Sequence, residues 1–277
     1  MTIQDLTTTN PNQQLQSAPN HEAARTAQLQ TRELAEIQAQ CQMARAFPRD
    51  ESAAWSKLVA ACARPSFADS AVYEFPRGGS TIRGLSVNAA REIARVWGNI
   101  RHGYRQIPTD PAWVHIEAFA FDLETGTFVV KEDRFLKRIQ RKVKGTTKWV
   151  EPDERDLREL VGRRAAVLER NCMLELVPGD LKDEMLARCC AAGEQQAGAD
   201  LAKNRDAVIG KMLASFERYG VSSDQIETRL GRTIAEMNSE DLDSLRRIFR
   251  SLESKEATVD EFFTAVSDSA DEPGSRG

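Results

Sequence analysis

The stretch that most restricts the fold of this chain runs from Trp113 to Asp122. Trp113, His115, Glu117, Phe119 and Phe121 alternate with Val114, Ile116, Ala118 and Ala120, which is the two-residue period of a strand with one face packed. Glu124-Thr125-Gly126 supplies a reversal, and Phe128 to Leu136 reads as the next strand. On the amino-terminal side Asn99 to Ile107 alternates as well, with Arg101, Gly103 and Arg105 on one face and Ile100, His102 and Tyr104 on the other. Connections this short join antiparallel neighbours. The chain is therefore expected to be α+β, an antiparallel β-hairpin and meander with packed helices. Trp97 and Phe119 are expected in its core.

Helices flank the meander. Val87 to Trp97 carries Val87, Ala90, Ile93, Ala94 and Trp97 on a core stripe and Arg91 and Arg95 on another face, with Ser86 as cap and Gly98-Asn99 as stop. Before it, Leu29 to Arg45 and Glu51 to Cys62 have helical spacing, the second capped by Asp50 and ended by Pro65. Ala71 to Phe75 and Thr81 to Leu85 flank Pro76-Arg77-Gly78-Gly79, a hairpin signal. Asp153 opens a long helix to about Glu175, with Leu157, Leu160, Val161, Ala165, Leu168 and Cys172 inward and Arg155, Arg158, Arg163, Arg164 and Arg170 elsewhere. Pro178-Gly179 breaks it. The expected organisation is a disordered arm over 1–28, an α+β core over 29–192, a linker over 193–205, a small helical C-terminal domain over 206–265 and a polar tail over 266–277.

A length of 277 residues with 41% apolar content suffices for a core. A net charge of −4 would repel phosphate on average. That average conceals an asymmetry: basic residues concentrate between Arg77 and Arg170, and acidic ones from Ser222 onward. The five cysteines, Cys41, Cys62, Cys172, Cys189 and Cys190, lack CxxC spacing, so no disulfide framework or zinc site is expected. Cys41, Cys62 and Cys172 sit in apolar stripes and read as buried thiols. No run approaches the ~20 apolar residues of a membrane span, and the expected compartment is reducing cytoplasm.

Motifs for nucleotide or hydrolytic chemistry are missing. Gly145-Thr146-Thr147-Lys148 has the composition of a phosphate loop in the wrong order, and no GxGxxG, HExxH or GxSxG occurs. His102 and His115 read as hydrogen-bonding strand residues. The enzymatic alternative is a metal-dependent nuclease built on Glu117, Asp122, Glu124 and Glu132. A purely structural or adaptor protein is the third possibility.

Cations favour binding over catalysis. Arg77, Arg83, Arg91, Arg95, Arg101 and Arg105 lie on the hairpin, the Val87 helix and the first meander strand. Lys137, Arg138, Arg141, Lys142, Lys144 and Lys148 crowd a basic loop closed by Trp149. Phosphate neutralisation is a sufficient reason for such a set. Tyr104, Trp113, Phe135 and Trp149 could stack unpaired bases. No metal or other cofactor is expected.

Two segments carry a family resemblance. Gly84-Leu-Ser-Val-Asn-Ala-Ala-Arg-Glu-Ile-Ala-Arg-Val-Trp-Gly98-Asn-Ile, followed by Val114-His-Ile-Glu-Ala-Phe-Ala-Phe-Asp-Leu-Glu-Thr-Gly126, resembles phage-type single-strand DNA annealing proteins of the RecT/Redβ/ERF kind. The helix from Asp153 to Pro178-Gly-Asp is similar to the one those proteins place after their meander. The resemblance covers roughly Leu34 to Cys190 and implies a β-β-β-α annealing core. It implies a recombinase of a phage or prophage, working without ATP in the bacterial cytoplasm. Such a protein coats single-stranded DNA, passes through an annealed duplex intermediate and assembles as a homo-oligomeric ring or helical filament. A groove between helix and sheet would grip the backbone with the cations named above, and Arg91→Glu with Arg95→Glu would weaken binding and spare folding. The acidic C-terminal helices would dock a single-strand-binding protein or an exonuclease, with no membrane partner.

Overall fold

The structure is a computed structural model that describes residues 18–77, 80–143, 146–253 and 257–263. The described residues form two compact units, one containing α1 (Ala18–Ala46) and the 123–126 turn, the other beginning at Arg49. Helix α1 starts at Ala18, so residues 18–28, expected as part of a disordered arm, are helical. Pro19 suits a first helical turn, and the Glu22, Ala23, Ala24, Arg25, Ala27 and Gln28 that follow are strong helix formers whose propensity outweighs the polar composition. Within α1 an Arg32–Glu36 pair spans one turn at 2.8 Å.

The second unit is mixed helix and sheet, α+β as the period pattern requires. Helix α2 (Glu51–Cys62) is capped by Asp50, whose carboxylate accepts from the Ala53 amide at 2.9 Å. The short α3 (Pro65–Ala71) starts at the proline expected only to end α2, because proline suits a first helical turn. Strands β1 (Val72–Arg77) and β2 (Ser80–Leu85) pair antiparallel. Ser86 then serves two elements: its hydroxyl donates to the Ser70 carbonyl at 2.7 Å and accepts from the Ala89 amide, capping α4 (Val87–Trp97). Gly98 and Asn99 both take positive φ, 77° and 53°, and turn the chain into the sheet.

β3 (Ile100–Ile107), β4 (Trp113–Asp122) and β5 (Phe128–Leu136) form the meander, ordered β3-β4-β5. One face is fully packed: Val114, Ile116, Ala118 and Ala120 lie under α5 (Glu154–Leu176) and α4, against Ala90, Ala94, Val161, Ala165, Cys172 and Met173. Small residues on both sides let helix and strand approach closely, and each fully buried Ile or Val contributes about 1.5–3 kcal/mol. Asp153 caps α5 by accepting from the Asp156 amide at 2.8 Å. Phe119 is a correction: it lies on the opposite, outward face, because its register neighbours are Gly103 and Val130.

The basic loop is also corrected. It forms a hairpin of its own, β6 (Ile139–Val143) paired with β7 (Thr146–Val150). Ile139, Val143, Thr146, Thr147 and Val150 are β-branched, and that preference decides the local structure where charge density alone suggested a loop.

Helical structure, α6 (Gly179–Glu217), covers the stretch expected as a linker over 193–205, but it breaks at Asn204, whose φ of −161° and ψ of 83° kink the chain and divide α6 into two helical pieces. The Asn204 side chain accepts from the Ala207 amide at 3.1 Å and caps the second piece of α6. Its first half supplies Leu181, Met185 and Cys189 to a core shared with α2, α3 and α4. Ala197, before the break, and Ile209 and Phe216, beyond it, belong to a core shared with α7 (Ser223–Leu230), α8 (Ser239–Glu253) and α9 (Val259–Phe262). Helix α8 also seats on β1. Glu74, 1% exposed, accepts from Ser244 Oγ at 2.8 Å and Arg83 Nε at 2.8 Å, and its carbonyl accepts from Ser251 Oγ at 3.2 Å. Beside it Arg247 pairs with Asp243 at 2.5 Å. Among the described residues no helix is long and apolar enough to cross a membrane.

Candidate nucleic-acid interface

The sequence-predicted cations are distributed over several faces, and many are engaged. Arg91 bonds Glu169 at 2.7 Å, and Arg95 bonds Glu92 at 2.7 Å. Glu169 is a buried carboxylate shared by Arg91 and His102 Nδ1 at 2.8 Å; the His102 hydrogen bond, and after it Arg91, hold its carboxyl below the usual range against the opposing effect of burial. Arg83 pairs with Glu74, and Arg105 with Glu117 at 2.6 Å. Arg141 pairs with Asp156 at the start of α5, with Asp153 at 3.5 Å.

Sheet register then separates the cations. Arg101 and Arg105 share the outward face with Phe121 and Glu117, whereas α4, with Arg91 and Arg95, packs on the opposite face. The space between helix and sheet is filled by Ala90, Ala94, Ala118 and Ala120, so the groove expected there is occupied by core. Arg77 and Lys142 belong to strands β1 and β6, and Lys144 lies outside the described residues. Lys137, Arg138 and Lys148 make no ion pair among the described residues; Arg138 and Lys148 are exposed.

The aromatic candidates divide similarly. Trp149 is 63% exposed on β7, and Tyr104 is 46% exposed on the helix-bearing face of β3. Trp113 lies on the outward face with the Arg134 guanidinium over its ring at 4.8 Å. Phe135 is corrected from a stacking candidate to core, 7% exposed against Val114 and Val161.

Carboxylates proposed for metal chemistry do not converge. Glu117 and Glu132 are register partners on the outward face, bound to Arg105 and to His115 at 3.0 Å. Asp122 belongs to the opposite face, where Arg49 holds it at 2.6 Å. Glu124 lies in the 123–126 turn. Among the described residues no group of three His, Cys, Asp or Glu side chains could hold a metal ion.

A feature the sequence reading did not assemble is a cleft of about 790 Å³ between β1 and α5. Arg163, Ala166, Val167 and Arg170 recur along α5 at spacings of three and four and line one wall. Tyr73 and Phe75, two residues apart on β1 and stacked at 5.6 Å, line the other. Gly84 permits this, since a Cβ there would sit 2.8 Å from the Tyr73 ring. Arg170 lies over Tyr73 at 4.9 Å, and neither it nor Arg163 has a carboxylate partner among the described residues. Arg164 is engaged by Asp133 at 2.6 Å. Ser251, Ala257 and Glu261 close the far side. The α5 periodicity was readable from sequence, but only the fold brings β1 opposite it.

Such a cleft offers guanidinium groups to phosphate and ring faces to bases. No family model, no curated protein and no solved structure matches this chain. The functional reading therefore rests on the residues themselves and on the resemblance described above.

Proposed function

We propose that this protein binds single-stranded DNA and anneals complementary strands without hydrolysing a nucleotide. The observation that carries the reading is the β1–α5 cleft, where Arg163 and Arg170 have no carboxylate partner among the described residues and stand opposite the stacked rings of Tyr73 and Phe75. Ordinary surface arginines gain from nearby acids, as Arg155 with Glu159 and Arg158 with Glu154 do on the same helix. Cations left beside aromatic rings suit a ligand with both negative charge and flat faces. Lys137 and Arg138, just before the β6-β7 hairpin, and Lys148 and the exposed Trp149 on it add cations and a ring at the amino-terminal side of α5.

Annealing requires that the backbone be held and base edges stay available, and contacts to phosphate and ring faces meet that requirement without reading sequence. The β-β-β-α core would serve as the unit of a ring or filament along the strand, with a single-strand-binding protein or exonuclease docking on the C-terminal helices.

The test is to mix the purified protein with complementary oligonucleotides, with and without magnesium and without ATP. Duplex formation should accelerate, and binding should weaken steeply with salt. Arg163→Glu with Arg170→Glu should lower single-strand affinity at least tenfold. No acceleration, or magnesium-dependent loss of the oligonucleotides, would overturn the reading.

A further inference from the structure

The outward face of the β3-β4-β5 sheet carries a continuous aromatic patch. Register places Arg101, Phe121 and Phe128 in one row across the three strands, and Gly103, Phe119 and Val130 in the next. The rings touch: Phe121 and Phe128 meet edge to face at 5.8 Å, and Phe119 and Phe128 lie 6.3 Å apart. Phe128 is 55% exposed, and Val130 is exposed beside it. Helices α4 and α5 both pack on the other face.

The chemistry of the patch limits what it can hold. Gly103 leaves the β3 side without a side chain, and a Cβ there would come within 3.4 Å of the Phe119 ring, so that ring leans over bare backbone. Glycine within a strand often marks a place where a ligand approaches closely. Arginines border the rings: Arg101 in the Phe121 row, Arg105 two residues further on β3, and Arg134 on β5 stacked upon Trp113. The acids of this face are already engaged, Glu117 by Arg105 and Glu132 by His115. A patch of flat rings bordered by guanidinium groups complements a ligand of flat faces joined by anionic links.

We propose that this face is a stacking platform for the unpaired bases of a single nucleic-acid strand, distinct from the β1–α5 cleft. The proposal rests on the single-strand-binding reading and adds a second contact surface. Bases lie on Phe119, Phe121 and Phe128, and Arg101 and Arg134 receive flanking phosphates.

Two polymers of equal length separate the platform from the cleft: oligo(dT), and an abasic sugar-phosphate strand that keeps the charge and lacks the rings. With the full chain, Phe128→Ala should weaken oligo(dT) binding about tenfold and leave abasic binding unchanged, and Phe128→Trp should restore it. Photocrosslinking with 5-iododeoxyuridine oligonucleotides should label the peptide containing Phe119, Phe121 and Phe128. This second readout needs no substitution and is independent of folding. If Phe128→Ala binds oligo(dT) normally and crosslinks map only to β1, α5 or the β6-β7 hairpin, the platform is wrong and the cleft reading stands. If Phe128→Ala instead dissociates an oligomer without changing affinity per protomer, the face is a contact between copies, and the platform is again wrong. Wild-type protein that binds neither polymer would overturn both readings.

Discussion

At the scale of single residues, the most consequential position is Gly193. It faces the buried Asp243–Arg247 pair, and a Cβ added there would overlap Asp243 Oδ1 and come within 3.0 Å of Arg247 Nη2. Gly198, five residues on, faces open packing with Ser239 Cβ at 3.6 Å. The two glycines should respond oppositely to alanine in urea denaturation. Gly193→Ala should cost about 2 kcal/mol through overpacking, whereas Gly198→Ala should be neutral or gain up to ~1 kcal/mol from helix propensity. Asp243 itself is pushed up to about 6 by burial, and Glu74 and Glu194 nearby add to the effect against the pull of Arg247. An unfolded Asp titrates near 4, so between about pH 4 and 6 the folded chain holds more protons than the unfolded one. Stability should therefore fall as pH rises through that window. Thermal melts should show this fall in the wild type and a smaller one in Asp243→Asn.

Elements show how charge was distributed among competing uses. Arg91 and Arg95 read from sequence as a free cationic stripe, yet Arg91 neutralises Glu169, whose side chain is 7% exposed. Arg91→Glu would place a second negative charge beside that carboxylate and should destabilise the protein by about 2–4 kcal/mol, contrary to the expectation that it would spare folding. Arg91→Gln with Arg95→Gln is the cleaner probe, and a small change in DNA affinity would agree with the cleft as the principal site. At and just before the β6-β7 hairpin, Lys137→Ala, Arg138→Ala and Lys148→Ala together should reduce the salt slope of the proposed binding by about 2–3 with no loss of thermal stability. The meander and the α4 and α5 caps were legible because alternation, turn residues and Ser or Asp caps are local signals. The β6-β7 hairpin was obscured by its charge, although Val143, Thr146, Thr147 and Val150 carried the strand preference. Site residues were less legible. Arg83 faces Glu74 across the expected hairpin, but the pairing of Arg91 with Glu169 joins positions 78 apart, and the meeting of β1 with α5 is also long-range; no local spacing encodes either of these.

On the scale of the whole second unit, the C-terminal helices are structural partners of the hairpin. Helix α8 satisfies Glu74, its carboxylate through Ser244 and its carbonyl through Ser251, so cutting the chain after Gln196 would strip partners from a buried residue as well as removing the proposed docking surface. Loss of partner-protein binding in such a truncation would have an ambiguous cause, and charge reversals at exposed positions of α8 test docking better. Helix α6 has a further consequence for how the sequence can change over time. A flexible connector tolerates gain or loss of a residue, but one residue inserted between Gly193 and Ala197 would turn the helix from there to its break at Asn204 by about 100° and advance it by about 1.5 Å. Ala197 and Leu201 would then point away from the core that α7 to α9 complete. The stretch from Gly193 to Ala197 should thus accept substitutions at its outward positions yet reject single-residue insertions and deletions, whereas the break at Asn204 should absorb them, a pattern that deep mutational scanning for folded protein would reveal as a phase lock confined to the turns before the break.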